Sequence, residues 1–326
     1  MDALLKIQLL KTQFHKKHGI VKAVDGVDLK IHQGETLSLV GESGCGKSIT
    51  GLSIMKLVPP PGRIVAGSIE FKKRNILNLS EKQMSKIRGK EIGLILQDPL
   101  SALNPVITVG EQISEVIRTH FPVNRKEAKN RTLDLMEKVQ LPNVSSLYDS
   151  YPHQLSGGLR QRVLIAIALS CSPSLVIADE PTTALDVSIQ SQILSLLKNL
   201  KKEFQISLLL ITHDFSVVAE MADRVAVMYA GKIVEQANTF DIFTNPIHPY
   251  TKSLLDAIPK LDFSGKKKTK TIVPLKGAVP DMMNLPDGCT FYPRCSIADE
   301  SCQKSYPKGF LSDGGKFVSC FKAKLA

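Results

Sequence analysis

The order of apolar and polar residues divides the chain into three textures. Short apolar runs recur at Leu5–Leu10, Val24–Ile31, Glu35–Val40, Ser68–Phe71, Ile92–Leu96, Leu175–Ala178, Ser207–Ile211 and Val225–Tyr229. Runs of this length, rich in Val, Ile and Leu, predict β-strands, with Gly19, Gly26 and Gly34 breaking the first three. Helical patterns lie between several of them, which predicts an α/β domain on a parallel sheet. Between Gln97 and Cys171 the spacing changes to three and four residues, over Val109–Arg118, Arg125–Val139 and Leu159–Ser170, and predicts a helical insertion. Residues 187–202 place Ile189, Ile193, Leu196, Leu197 and Leu200 on one stripe, as a core-packing helix does. Past about residue 240 the texture turns to Pro, Lys and Cys. A separate C-terminal module is expected there, with Lys266–Lys270 as a solvated linker.

Length agrees with that division, because 326 residues exceed what one hydrophobic core usually supports. No apolar run approaches the ~20 residues of a membrane span. The first residues show no basic region followed by an apolar stretch, so no secretory signal is expected and the address reads as cytosolic. In that compartment the six cysteines suit burial, metal binding or catalysis better than disulfides. The net charge of +11 invites nucleic acid, an anionic membrane or phosphorylated ligands, without choosing among them.

The choice comes from three motifs. Gly41-Glu42-Ser43-Gly44-Cys45-Gly46-Lys47-Ser48 lies between a predicted strand and a predicted helix that opens at Ile49. Glycines there let successive backbone N–H groups curl round a phosphate, and the helix aims its positive end at it. Lys47 suits the β- and γ-phosphates and Ser48 a Mg²⁺ ion. A second element, Leu175–Glu180, is an apolar strand ending in two carboxylates, with Asp179 suited to Mg²⁺ and Glu180 to orienting or deprotonating an attacking water. In the third, Leu155-Ser156-Gly157-Gly158-Leu159, a hydroxyl and free N–H groups stand at the start of a helix. Taken alone, the last two have bland readings, as carboxylates ending a strand and as an N-cap.

Together these residues resemble the ATP-binding subunit of ATP-binding cassette (ABC) transporters. Walker A (Gly41–Ser48), Gln97 as the Q-loop, the signature (Leu155–Leu159), Walker B (Leu175–Glu180), the D-loop (Ala184-Leu185-Asp186) and the switch histidine in Thr212-His213-Asp214 occur in the family's order. The resemblance implies an α/β P-loop NTPase core over 1–240, with an antiparallel β subdomain and a helical subdomain at about 97–171. It implies that two such subunits pair head to tail, with ATP between one Walker A and the other's signature. Glu180 is then the catalytic base, His213 contacts the γ-phosphate and Gln97 senses Mg²⁺ and water. Ser156, Gly157 and Gly158 serve the partner's nucleotide, and Asp186 belongs to the same composite site. His18 falls where the family usually stacks an aromatic on adenine, with Phe14 nearby.

The tail sharpens the branch. Asn245-Pro246-Ile247-His248-Pro249-Tyr250-Thr251 and Gly288-Cys289-Thr290-Phe291-Tyr292-Pro293-Arg294-Cys295 resemble ATPase subunits of di- and oligopeptide (and nickel) importers. By spacing, the thiols of Cys289, Cys295, Cys302 and Cys320 suit Zn²⁺ or an iron–sulfur cluster, and the first interval is wider than in a zinc ribbon. The resemblance implies a [4Fe–4S] cluster in a small extension over 241–326. It also implies a second ATPase subunit, typically a paralogue, two permease subunits, an extracytoplasmic substrate-binding protein, and a peripheral place on the cytoplasmic face of the membrane. Nucleic acid is not an expected partner: a soluble ABC ATPase of that kind usually has tandem cassettes or a long coiled coil. A nickel or other small-solute importer is the nearer alternative.

Overall fold

The computed structural model describes residues 3–183, 185–258, 277, 280–312 and 315–323. Ala184 of the D-loop and the Lys266–Lys270 run lie outside the described residues.

Two sheets carry the fold. The larger has eight strands among the described residues, and its centre is parallel: Thr36–Val40 lies between Ser207–Thr212 and Arg224–Tyr229, and Leu175–Asp179 joins Ser207–Thr212 to Ile92–Ile95. Thr36–Val40, Leu175–Asp179 and Ser207–Thr212 are buried throughout, which is why they read as unbroken apolar runs. The smaller sheet is antiparallel, built on the hairpin Ala3–Lys16 and Gly19–His32 with Gly62–Phe71 and Arg74–Asn75 beside it. One apolar cluster, including Leu5, Ile7, Leu29, Leu39 and Ile177, joins the two sheets.

The hairpin strands run longer than their sequence pattern. Gly26, expected as a break, has φ +76° inside Gly19–His32, and the register slips there between Leu10–Val27 and Lys11–Asp25. The strand passes through as a bulge. A second slip turns Leu9 outward at φ +47° while Leu10 stays buried, so two adjacent leucines face opposite environments.

The helical insertion is present as Val109–His120, Arg125–Lys138 and Gly157–Leu169. Its apolar faces share a core with the stripe of helix Val187–Glu203, where Ile193, Leu196, Leu197 and Leu200 are buried and Ile189 packs at the margin.

The tail departs from the expectation of a separate module. Phe317–Val318 pairs antiparallel with Lys232–Asn238, itself paired with Arg224–Tyr229, so the tail extends the main sheet. Tyr250 and Phe291 are buried against Tyr229, with ring centroids 4.6 and 5.2 Å from it.

Candidate functional site

The carboxyl ends of the central strands open on a cavity of about 650 Å³. Ligands of open α/β sheets bind at such ends, where loops leave the strands. Its floor is the loop Gly41–Ser48, between Thr36–Val40 and helix Lys47–Ile54. Two glycines are dictated by close backbone approach. A Cβ on Gly41 would lie 2.2 Å from Met228 O, and one on Gly46 2.1 Å from Ala23 O. Gly46 also holds φ +111° as the residue that starts the helix. Gly41, Glu42, Ser43, Gly44, Gly46, Lys47, Ser48 and Ile49 all line the cavity. Cys45 is buried beneath it, and burial pushes its thiol up, which suits a filler and not a nucleophile. Lys47 Nζ donates to the carbonyls of Gly41 and Glu42 at 2.8 and 2.9 Å, so the ammonium is held over the loop.

Two carboxylates end Leu175–Asp179 in different surroundings. Asp179 accepts a hydrogen bond from Ser48 Oγ at 3.0 Å, and burial raises its pKa against that bond. Two oxygens adjoining a phosphate loop are the donor type that a hard cation takes. Glu180 turns out of the strand with φ +47°, a conformation rare outside glycine, and its N–H donates to Ile211 O at 2.8 Å. Its Oε2 accepts from Gln97 Nε2 at 3.0 Å and Thr183 Oγ1 at 2.9 Å, and its Oε1 lies 2.9 Å from His213 Nδ1. Burial alone would raise its pKa, but the bonds from His213 and Thr183 outweigh burial and hold it below the usual value. Glu180 is therefore a carboxylate at neutral pH, able to accept a proton. The structure thus brings Gln97, Glu180 and His213 together at one edge of the cavity, from three different strand ends.

The signature lies elsewhere. Ser156 caps helix Gly157–Leu169, its Oγ accepting from Leu159 N at 3.4 Å, and Ser156 and Gly157 are exposed. Asp186 caps Val187–Glu203, accepting from Ile189 N at 3.0 Å. These two helix starts adjoin: a Cβ on Gly158 would meet Ile189 Cγ2 at 2.8 Å. None of Ser156, Gly157, Gly158 or Asp186 lines the cavity of its own chain. His18 does not reach it either, being exposed in the turn of the first hairpin. Sequence reasoning missed Thr183, Phe215 and Leu254, which do line it. Thr183 sits three residues after Glu180 and could have been found. Leu254 comes from helix Pro249–Asp256 and has no local signal linking it to the loop.

With this geometry fixed, comparison with known proteins identifies the fold's relatives. A family model described as ABC transporter matches residues 24–183, and one described as oligopeptide/dipeptide transporter, C-terminal region, matches 234–302. The chain belongs to the ATP-binding subunits of ABC transporters, of the oligopeptide and dipeptide type. It is 50% identical to the oligopeptide transport ATP-binding protein AppD of Bacillus subtilis, over 98% of this chain and 97% of that one. To the oligopeptide transport ATP-binding protein OppD of Escherichia coli it is 44% identical, over 98% and 94%. Among solved structures it is similar to the dimeric post-hydrolysis state of the ATP-binding cassette MJ0796 bound to ADP and Pi. That match has a TM-score of 0.65 and 28% identity, and covers 72% of this chain and 98% of the other. As an ABC ATPase the chain uses ATP and Mg²⁺.

The four tail cysteines converge on a second, small cavity, lined also by His248, Pro249, Phe291, Tyr292 and Pro307. None of the four is paired in a disulfide. Burial, with the other three sulfurs nearby, pushes Cys289 up to about 11. Among the described residues no three His, Cys, Asp or Glu side chains meet closely enough to hold a single metal ion.

Proposed function

We propose that this subunit hydrolyses ATP to drive import of di- or oligopeptides, working in a pair of nucleotide-binding subunits beneath two permease subunits fed by a substrate-binding protein. The observation that carries the hydrolytic part is Glu180, a carboxylate ionised at neutral pH and aimed into the phosphate cavity by Gln97, Thr183 and His213. Peptide cargo rests on the near full-length relatives, which are named as oligopeptide and dipeptide transport proteins. A place on the cytoplasmic face of the membrane fits an ATP-fed subunit. No helix among the described residues is long and apolar enough to cross a bilayer.

In this reading Lys47 and the N–H groups of Gly44–Ser48 bind the β- and γ-phosphates. Ser48 and Asp179 would hold Mg²⁺, which would supply positive charge beside the phosphate oxygens. Glu180 takes a proton from the water as its oxygen bonds to the γ-phosphorus and the bond to the bridging oxygen breaks. His213, 2.9 Å from Glu180 Oε1, fixes the carboxylate and reaches the γ-phosphate side of the cavity. Ser156, Gly157, Gly158 and Asp186 serve the nucleotide of the opposite subunit. Their placement off the local cavity, on an exposed face, supports that division.

For the tail we favour a [4Fe–4S] cluster on Cys289, Cys295, Cys302 and Cys320. The four thiols line one cavity, and four cysteine thiolates are the usual ligand set of such a cluster. Anaerobically purified protein should then be brown, with iron and acid-labile sulfide near four per chain, and Cys302→Ser should lose both. One zinc per chain and no colour would replace the cluster with a zinc site. The cargo is tested in vesicles carrying the assembled complex: labelled peptide should accumulate only with ATP, and accumulation of nickel instead would overturn the peptide assignment.

A further inference from the structure

The phosphate loop carries an acid where a polyanion must bind. Glu42 lies between Gly41 and Ser43 and lines the phosphate cavity. A free carboxylate there would repel the nucleotide, and in a partly buried site that repulsion is poorly screened. The structure answers with a residue 252 positions away. Arg294 Nη1 donates to Glu42 Oε2 at 2.6 Å and Nη2 to Glu42 Oε1 at 2.9 Å, a forked pair whose arginine side chain is only 5% exposed. Tyr250 OH accepts the Glu42 N–H at 2.9 Å, fixing the loop backbone to the tail helix Pro249–Asp256. Tyr229 OH lies 3.4 Å from Arg294 Nη1, and the rings of Tyr229, Tyr250 and Phe291 pack against one another around the pair.

We propose that Arg294 is a positioning residue of the nucleotide site, neutralising Glu42 and holding it away from the phosphates. This rests on the reading of Gly41–Ser48 as the ATP phosphate site. Arg294 ends the turn Tyr292–Arg294, and Cys289 and Cys295 on either side of that turn line the cysteine cavity. The tail thereby becomes a structural component of the ATP site, and anything that distorts the cysteine loop also loosens the grip on Glu42. The fork matters as well as the charge, because a guanidinium meets both carboxylate oxygens at once and an ammonium cannot.

The test uses the full chain and a fluorescent ATP analogue, with KM and kcat for ATP measured in the assembled transporter. Arg294→Gln should weaken analogue binding about tenfold, and raise KM by more than it lowers kcat. Adding Glu42→Gln should restore affinity to within about twofold of wild type, because the repelling charge is then gone. That rescue separates electrostatic positioning from a general weakening of the tail, which a second substitution would not repair. Unchanged affinity in Arg294→Gln, or a double variant no better than the single, overturns the proposal. If Arg294→Gln does not fold, Arg294→Lys carries the test, with a smaller loss of affinity expected and no loss overturning it. Lys47→Ala is the control. If it binds the analogue as wild type does, the phosphate-loop reading itself fails. If it loses binding while Arg294→Gln does not, only the role of Arg294 fails.

Discussion

Replacing Glu180 by Gln should lower ATP turnover in the assembled transporter by ~100-fold or more, the range expected when a positioned general base is lost. Nucleotide affinity should stay within about threefold of wild type, because a group acting on the attacking water contributes to the transition state and little to ground-state binding. The change removes one charge and keeps the shape of the side chain. Thr183 and Gln97 both donate to Oε2 and His213 lies against Oε1, so an amide NH2 placed at either oxygen would meet a donor or a ring nitrogen. The carbonyl oxygen is expected to keep the Thr183 and Gln97 bonds and turn the amide toward His213, whose Nδ1 can accept in one neutral tautomer. The variant should therefore bind ATP and hold it unhydrolysed. Steady-state phosphate release, single-turnover hydrolysis and retention of labelled nucleotide on a desalting column check the three parts. Turnover within tenfold of wild type would remove Glu180 from the catalytic role. Gln97→Ala should act more mildly, since it deletes one of three bonds that orient the carboxylate.

The parts of this site that were legible in the sequence are those whose spacing is set by one short piece of backbone. Gly41–Ser48 could be read because Gly41 and Gly46 tolerate no Cβ against Met228 O and Ala23 O, so chemistry fixes their identity. Asp179 and Glu180 could be read because they end an apolar strand. What was not legible depends on chain segments far apart meeting in space. The Arg294–Glu42 pair has no local pattern, and Tyr250 reads as one more aromatic in a proline-rich stretch. The tail looked separate because its composition changes, yet Phe317–Val318 is only a two-residue strand, too short for period-two alternation to reveal. His18 was placed by counting back from Gly41, and the fold sets it in the exposed turn of the first hairpin, away from the residues that line the phosphate cavity.

Replacing Ser156 by Arg should also separate binding from hydrolysis, but through the nucleotide of the opposite subunit, because Ser156 stands outside its own chain's phosphate cavity. In the isolated chain, nucleotide affinity should remain within about threefold of wild type. The local change is small: Ser156 is exposed, its one cap bond to Leu159 N is long at 3.4 Å, and such a cap is worth about 1 kcal/mol. In the assembled transporter the same substitution should cut ATP turnover by ~100-fold or more, the usual loss when a positioned donor to a developing anion is removed. The physical reason lies at the start of helix Gly157–Leu169, where N–H groups unpaired within the helix and a hydroxyl face outward beside the start of Val187–Glu203. Such a surface binds phosphate only if another molecule brings the phosphate to it. An arginine side chain at residue 156 adds bulk to that face and removes the hydroxyl. Analogue binding to the isolated chain and phosphate release from the complex, measured on the same preparation, decide the matter. A loss of affinity in the isolated chain would place the signature at its own nucleotide, and full turnover in the complex would remove it from the reaction. The expected pattern, intact binding alone with failed hydrolysis in company, requires that each ATP be completed by residues of two subunits.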